Sequence, residues 1–281
     1  MFINAIKKAS YVKPFSSAYK TPYNDEVIRS MFSVILINDE GWVLTTKGVL
    51  ANIIEADKIH KRYEKIKEEL ILNKVPPKKI YKKYKVLKDE PVILKNVFLN
   101  TISRWSGMEL FGHEYLDLAL VKFENPEEIL CDKYPVFGSN PSQGEMVCRL
   151  GYPYPELEVL KYNHASKDIE LNNMLMVNPQ VFPIEGMVTR TLLDEKGNPT
   201  LFEVSNGACV GHIGGAVINK KGELIGMQIG TAYKDTGIDI NSKIKRKNKE
   251  IDISEHSLIP LSICVNIEAI KEFLDKYKIK Y

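Results

Sequence analysis

The sequence predicts an all-β protein of antiparallel hairpins, with helices in an insertion and at the C-terminus. The apolar runs Ala216–Asn219 and Leu224–Met227 flank a Lys-Lys-Gly-Glu turn, where glycine supplies the positive φ that a tight turn needs. The β-rich runs Phe32–Ile37 and Trp42–Thr46 flank a second turn, Asn-Asp-Glu-Gly. Both pairs of runs are typical of β-hairpins.

The composition is that of an ordinary globular protein. The chain has 281 residues, of which 44% are hydrophobic and 27% charged, enough for one large or two small cores. A net charge of +3 is too small to indicate nucleic-acid binding by itself. No run of about 18 apolar residues is present, so no membrane span and no membrane partner are expected.

The N-terminus and the cysteines favour a cytoplasmic protein. The first residues, MFINAIKKASYVKP, carry lysines where an export signal needs an apolar segment. The four cysteines are widely spaced and include no C-x-x-C pair, which predicts free thiols in a reducing compartment. No metal site and no cofactor are expected. The cysteines are Cys131, Cys148, Cys209 and Cys264.

An insertion after the first hairpin predicts an amphipathic helix. Ile59, Tyr63, Ile66 and Leu70 recur at spacings of four, three and four residues, which is the helical period. The helix should end near Asn73, because the two prolines that follow at 76 and 77 cannot continue it.

The insertion is also strongly basic. Residues 57–95 hold 13 Lys or Arg against 6 Asp or Glu, a net of +7. Such a run is usually a solvated face. The alternative is a docking element for an acidic partner or nucleic acid, aided by Tyr81 and Tyr84 among the lysines. A second basic segment, Ser242–Lys249, is predicted to be an exposed loop.

The remaining elements follow from local pattern. Residues 1–24 are predicted to form an arm of turns and extended chain because of their prolines, and 156–180, which hold His164, to be irregular. Asn266 is a plausible N-cap for a final helix. The predicted strands are Tyr115–Lys122, Gln143–Pro155, Val181–Thr189, Leu201–Val204 and Leu261–Asn266, and the final helix is Ile267–Tyr277.

A loop with three glycines in five residues precedes the second hairpin. Glycines at this density let the backbone turn sharply and point N–H groups outward, as suits an anion. The segment Gly211–Val217, GHIGGAV, resembles the nucleophile loop Gly-x-Ser-Gly-Gly-Pro-Val of the trypsin/chymotrypsin-like serine proteases, especially their bacterial members related to the high-temperature-requirement proteases. Trp42–Val49 is similar to that family's histidine strand, and Asp117–Lys122 to its aspartate strand.

The resemblance covers about residues 30–50 and 110–278. It implies two antiparallel six-stranded β-barrels of the chymotrypsin type with the former active site at their interface. The first barrel would span 25–125, including the basic helical insertion 51–95. The second would span 126–281 with the C-terminal helix outside it. Gln143–Pro155, which ends in Gly-Tyr-Pro, resembles a strand of the family's second barrel.

The same alignment implies that the catalytic triad is degenerate. Ile213 stands at the serine position and Gly48 at the histidine position, and neither side chain can attack a carbonyl or accept a proton. Asp117 remains in frame with no imidazole to orient, so backbone N–H groups or a hydroxyl are expected to satisfy it. The chain is therefore expected to be an inactive homologue that serves as a peptide-binding, protein-binding or regulatory module.

Two other interpretations stay open at this point. The backbone of the oxyanion-type loop (Gly211, His212, Gly214 and Gly215) is expected to survive the loss of the serine and to bind a carbonyl or carboxylate. A relocated nucleophile, Cys209 with His212 or His113, would instead preserve hydrolysis. The simpler expectation is that Cys209 is a small buried side chain.

Overall fold

The computed structural model describes residues 2–24, 26–72, 76–154, 156–172, 179–207, 209–246 and 249–281. Fourteen strands dominate these residues, in agreement with the predicted β class. The strands are β1 Val12–Lys20, β2 Ile28–Leu36, β3 Trp42–Thr45, β4 Ile93–Phe98, β5 Gly107–Gly112, β6 Ala119–Glu124, β7 Met146–Gly151, β8 Leu160–Asn163, β9 Asp168–Leu171, β10 Phe182–Leu193, β11 Pro199–Ser205, β12 Ala216–Ile218, β13 Leu224–Arg246 and β14 Lys249–Asn266. The helices are α1 Ile3–Ile6, α2 Lys47–Leu72, α3 Pro77–Lys83 and α4 Ile267–Lys276.

The first six strands form one antiparallel sheet in the order β4-β1-β2-β3-β6-β5. Its core includes three phenylalanines packed edge to face: Phe98 lies 4.8 Å from Phe15 and 5.0 Å from Phe123 between ring centroids. This arrangement is the preferred one for buried aromatic rings. The hydrophobic runs predicted for β2, β3 and β6 thus meet in one core.

The later strands form a closed barrel in the order β10-β11-β14-β13-β12-β7. Counted from its own first strand, the barrel repeats the strand order of the first sheet. The one difference is closure, because β12 pairs with β13 whereas no pair joins β4 to β5 among the described residues. The expectation of two closed barrels is therefore met by the second unit only.

The expected N-terminal arm contains a strand of the first sheet. Val12–Lys20 forms β1, which pairs with both β2 and β4. Pro14 and two lysines hid this strand in the sequence. Pro14 lies just beyond the last residue pair with β4, where a missing N–H costs no ladder bond to that strand. The buried ammonium of Lys20 donates to the backbone carbonyl oxygens of Thr21 and Asn24.

The insertion is helical, as predicted, but its helix starts earlier than expected. α2 begins at Lys47, ahead of the predicted insertion boundary at 51, and its last described residue is Leu72. The predicted end at Asn73 lies outside the described residues. Pro77 is the first residue of α3, a position that suits proline because the first helical N–H has no intrahelical partner. No helix in the described ranges combines the length and apolar character needed to cross a bilayer.

The insertion packs on a small second core. Tyr63 and Ile66 of α2 are buried against Ile80 of α3 and against residues of the β8–β9 hairpin, including Leu160 and Ile169. This hairpin occupies much of the segment that was expected to be irregular, of which residues 173–178 lie outside the described ranges.

The C-terminal half confirms two local predictions and corrects a third. Gly222 has φ +87° in the turn between β12 and β13, and the Asn266 side chain accepts the N–H of Ala269 as the N-cap of α4. However, Ser242–Lys249 is not a loop. Its described residues belong to β13 and β14, which pair as far as Arg246 and Lys249. The long charged side chains alternate with isoleucines at the strand period, a signal that the basic composition obscured.

Candidate functional site

The glycine-rich loop lies between the two β units and touches both. A Cβ on Gly214 would stand 2.1 Å from the carbonyl oxygen of Ser33 on β2, and a Cβ on Gly215 would stand 2.0 Å from that of Leu150 on β7. Gly214 also has φ +82°, which disfavours any residue with a side chain. These two positions require glycine for packing, whatever else the loop does.

The N–H groups of the loop are already bonded within the chain. A short 3-10 turn, Val210–His212, precedes Ile213, and four successive N–H groups donate to backbone carbonyls. In this conformation these four groups are not directed at a ligand, so anion binding by Gly211, His212, Gly214 and Gly215 stays a prediction that requires the loop to open. The bonds run from His212 to Cys209 (3.0 Å), Ile213 to Val210 (3.2 Å), Gly214 to Gln228 (2.8 Å) and Gly215 to His212 (2.9 Å).

The positions aligned with the family's triad gather around the junction of β3 and α2. Oδ1 of Asp117 accepts the backbone N–H of Lys47 at 2.8 Å, one residue before Gly48. Thr45 approaches the loop from the same junction, since its Oγ1 lies 3.2 Å from the place a Cβ on Gly214 would take. Residues far apart in sequence are thus brought into one small region at the boundary of the two units.

The two positions aligned with the family's histidine and serine carry Gly48 and Ile213. Gly48 is exposed in the first turn of α2, and a Cβ there would meet only Thr46 Oγ1, at 3.7 Å. Ile213 is half-buried and its carbonyl oxygen accepts the N–H of Ser33 at 2.9 Å. At these two positions there is no nucleophilic atom and no general base.

The histidine of the loop is a buried structural residue. His212 has no exposed surface, and its Nε2 lies 3.0 Å from the carbonyl oxygen of Phe182, so the neutral ring carries its proton there. Burial lowers the pKa of His212, since a charged imidazolium loses its hydration. Its Nδ1 has no partner within the described chain.

The thiol and the second histidine of the relocated-nucleophile hypothesis are not joined. Cys209 is exposed, which corrects the expectation of a buried side chain. The 3-10 turn that follows Cys209 directs its side chain outward. Nδ1 of His113 accepts the N–H groups of Tyr115 (3.1 Å) and Leu116 (3.0 Å), so its lone pair organises its own loop. No hydrogen bond links a cysteine to either histidine side chain among the described residues.

A buried arginine beside the loop escaped the sequence analysis. Arg149 on β7 has no exposed surface. Among the described residues its guanidinium donates to neutral acceptors only: the carbonyl oxygens of Asn206 (2.6 Å) and Ser205 (3.4 Å) and the hydroxyl of Ser262. The charged residue in the middle of the apolar run MVCRLG was the available signal, because a buried charge needs partners.

Polar atoms without a partner concentrate around the loop and the β3–α2 junction. Nine buried side-chain atoms of the described residues lack a hydrogen-bond partner, and five belong to this region. Because buried polar groups are normally paired, this is where the chain has unused capacity to bind polar groups. The five are Thr45 Oγ1, Thr46 Oγ1, Arg149 Nε, His212 Nδ1 and Gln228 Oε1.

A separate concave surface of about 620 Å³ lies beside α3. None of its lysines makes an ion pair among the described residues, whereas six other basic residues of 57–95 do. Tyr81 is buried and Tyr84 donates to Glu69, so the aromatic residue at this surface is Tyr23 rather than the predicted pair. The surface, hereafter the lysine concavity, is lined by Tyr23, Lys78, Lys82, Lys85, Val86, Leu87 and Lys88.

No protein-family model matches the chain, and no curated protein matches its sequence. Two solved structures with which it aligns are the serine endoprotease from Yersinia pestis (14% identity, TM-score 0.46) and the HtrA-type protease AlgW with a tripeptide (14%, TM-score 0.47). Each alignment covers 98% of this chain but only 66% and 62% of those chains, respectively. The strand pairings by themselves define the sheet and the barrel.

The loop packing predicts opposite outcomes for two glycine substitutions. Gly214→Ala should lower the free energy of unfolding by roughly 3–5 kcal/mol, because the new methyl group meets a backbone oxygen at a strained φ. Gly48→Ala, in open space on a helix, should leave it unchanged or raise it by up to about 1 kcal/mol. Urea unfolding measures both values. Equal effects of the two substitutions would contradict the packing described here.

The burial of His212 predicts a loss of stability in mild acid. The unfolded imidazole takes up a proton near pH 6.5, whereas the folded one resists protonation because its pKa is lowered. Stability should therefore fall as the pH drops below about 6.5 and level off below the folded pKa. Thermal melts between pH 8 and 5 should show this slope, and His212→Asn should remove part of it. The His164→Asn variant is the control, because His164 is exposed and makes no ion pair among the described residues, and it should change the slope less than His212→Asn does.

Proposed function

We propose that the chain is a catalytically inactive homologue of the trypsin-like serine proteases that binds a peptide or protein segment at the boundary of its two β units. The observation that carries this proposal is the gathering of Gly48, Asp117 and Ile213 around one junction without a nucleophile or a base. The repeated strand order supports it, because it fits two barrels of the chymotrypsin type, the first opened between β4 and β5. The free state of all four cysteines fits the cytoplasm, which we include in the proposal.

Binding at this boundary uses groups that the chain leaves available. The N–H of Ile213 makes the longest of the four loop bonds, at 3.2 Å, so it is the loop donor that is exchanged most readily for a bond to a ligand carbonyl. Thr45 and Gln228 are buried, so their unpaired atoms become further partners for a ligand when the loop opens. The open space at Gly48 leaves room for a ligand side chain, where a catalytic imidazole would otherwise stand.

The first test concerns catalysis. Native protein should neither cleave a broad fluorogenic peptide mixture nor react with a serine-directed phosphonate. Cleavage that is abolished by Cys209→Ala would overturn the proposal in favour of a relocated thiol nucleophile. Cleavage that survives that substitution but is abolished by another change in the chain would also show an enzyme. The variant carrying Gly48→His and Ile213→Ser tests the alignment of the triad positions, and its labelling by the phosphonate would support it.

The second test concerns binding. A peptide selected from a display library on the native protein should bind Gly48→Trp at least 10-fold more weakly, since the indole fills the open space at the junction. Lys61→Trp is the matched control, because it is exposed on the same helix about 20 Å away. Isothermal titration should give the control an unchanged dissociation constant. Equal binding by all three proteins would place the peptide elsewhere and contradict the proposed cleft.

A second candidate function is the binding of an acidic protein or nucleic acid at the lysine concavity. The observation that favours it is the contrast in charge pairing: the lysines of this surface are unpaired, whereas those on the outer face of α2, such as Lys58 and Lys61, are paired with carboxylates. Unpaired ammonium groups around a concave surface attract phosphates or carboxylates. A second basic segment, residues 242–249, offers the same kind of charge.

Charge reversal tests this second function. With fluorescein-labelled single-stranded DNA and polyglutamate as probes, the Lys82→Glu and Lys85→Glu double variant should bind at least 10-fold more weakly than native protein. The Lys58→Glu and Lys61→Glu double variant should bind within about 2-fold of native protein. Native affinity should also fall steeply as salt rises. An equal loss of affinity in both double variants would show that the probes are attracted by net charge alone. If neither probe binds native protein, this second function is wrong.

A further inference from the structure

The hairpin of β13 and β14 extends far beyond the barrel that it closes. The last pair of β14 with β11 is at Leu261, and β13 leaves β12 after Met227. From residue 232 to 260 the two strands, hereafter the ribbon, pair only with each other among the described residues. Up to 15 residues per strand give a length of roughly 50 Å. An isolated two-stranded ribbon is marginally stable in water, so this segment needs a covering surface.

The outer part of the ribbon is amphipathic. Residues that pair across the ladder, and residues two apart on one strand, lie on the same face. One face, the isoleucine face, carries Ile240, Ile244, Ile251 and Ile253. The first three are 55%, 40% and 42% exposed, which is far above the level of a core isoleucine.

Two charged pairs on the opposite face form within the ribbon. Lys243 lies 4.0 Å from Asp252, and Nδ1 of His256 lies 2.7 Å from Oδ1 of Asp239. Each pair stands directly opposite in the ladder. Water hydrates the polar and charged groups of this face well. The isoleucine face is therefore the one that burial against a partner would stabilise.

Charge also changes sign along the ribbon. The tip, taken as the described residues 243–246 and 249–252, has four basic and two acidic residues, a net of +2. The remainder, residues 232–242 and 253–260, has one basic and three acidic residues, a net of −2. On the isoleucine face, Arg246 lies at the tip and Glu255, opposite Ile240, lies six residue steps further along the ladder.

We propose that the ribbon joins two copies of this chain, with their isoleucine faces packed together and their directions antiparallel. A two-fold axis midway along the face brings Arg246 of one copy against Glu255 of the partner subunit, and brings Ile244 and Ile251 over Ile253 of the partner subunit. The charge gradient favours a second copy of the ribbon as the partner. When the second ribbon runs in the reverse direction, each basic tip lies against the acidic part of the other ribbon, nearer the barrel. Such a self-complementary patch is what a two-fold dimer requires.

The size of the face predicts a weak dimer. Seven rungs of a two-stranded ladder cover about 25 Å by 10 Å, less than the roughly 800 Å² per partner of a standard interface. We therefore expect a dissociation constant in the micromolar range and a dimer that forms and dissociates readily. Because the ribbon lies apart from the glycine-rich loop in sequence and pairing, this proposal does not depend on the function proposed above.

Sedimentation velocity of the full chain tests the interface. Native protein should change from monomer to dimer between about 1 and 100 µM, and Ile244→Asp should weaken dimerisation at least 10-fold. Asn241→Asp adds the same charge to the opposite face and should leave the dimer unchanged. Circular dichroism confirms that each variant is folded. A native protein that stays monomeric at 100 µM, or a dimer that Ile244→Asp leaves intact, would overturn the proposal.

Charge exchange tests the antiparallel direction. Arg246→Glu alone should weaken the dimer by placing like charges together, as should Glu255→Arg alone. The double variant should recover most of the native affinity, because the pair is restored with its signs reversed. Additive losses in the double variant would refute the antiparallel arrangement.

Discussion

The backbone of the glycine-rich loop is pressed between two carbonyl oxygens, and the relation between the two β units depends on this contact. Ser33 and Leu150 approach Gly214 and Gly215 so closely that a methyl group at either glycine would overlap an oxygen. Ser33 then holds the loop twice, through its N–H to Ile213 and through its hydroxyl to the carbonyl oxygen of Gly211 at 2.7 Å. Glycines that suggest an anion site in the sequence are therefore also the point at which the units join.

The glycines of the loop and the residues at the triad-aligned positions differ in how tightly packing restrains them. Packing restrains the glycines, because a side chain at either one would overlap a backbone oxygen. The residues at the serine and histidine positions carry no such restraint, since Gly48 faces open space and Ile213 contributes mainly its backbone to the contact. The shape of the loop thus depends on the glycine backbone, whereas any catalytic reaction would depend on side chains. A substitution can change these side chains and leave the shape intact.

The sequence predicted correctly those elements that are determined by residues close together along the chain. The turn at Gly222, the Asn266 cap and the amphipathic period through Tyr63 each act within a few residues, so the sequence alone was sufficient. The strand β1 was missed because its stability comes from two neighbouring strands, one of them more than 70 residues away. The ribbon was missed because its lysines suggested a solvated loop and outweighed the alternating isoleucines.

The sequence predicted which residues meet at the candidate site, but not whether their polar groups are free to bind a ligand. The alignment placed Asp117 near Gly48, and the structure has Asp117 on the N–H of the residue before it. Whether the loop's N–H groups are free depends on a 3-10 turn that no residue type specifies. The exposure of Cys209 and the burial of Arg149 likewise follow from how a turn and a strand are oriented in three dimensions.

The inserted helix α2 reaches from the first sheet to the β8–β9 hairpin, which lies in the second half of the chain. The hydroxyl of Tyr63 donates to the carbonyl oxygen of Lys167 at 3.0 Å, and Nζ of Lys67 lies 2.8 Å from Asp168, above a core that both halves share. Opening one half therefore exposes apolar surface of the other. The insertion makes the two halves a single cooperative unit, so that neither is expected to persist as a folded fragment after the other is lost.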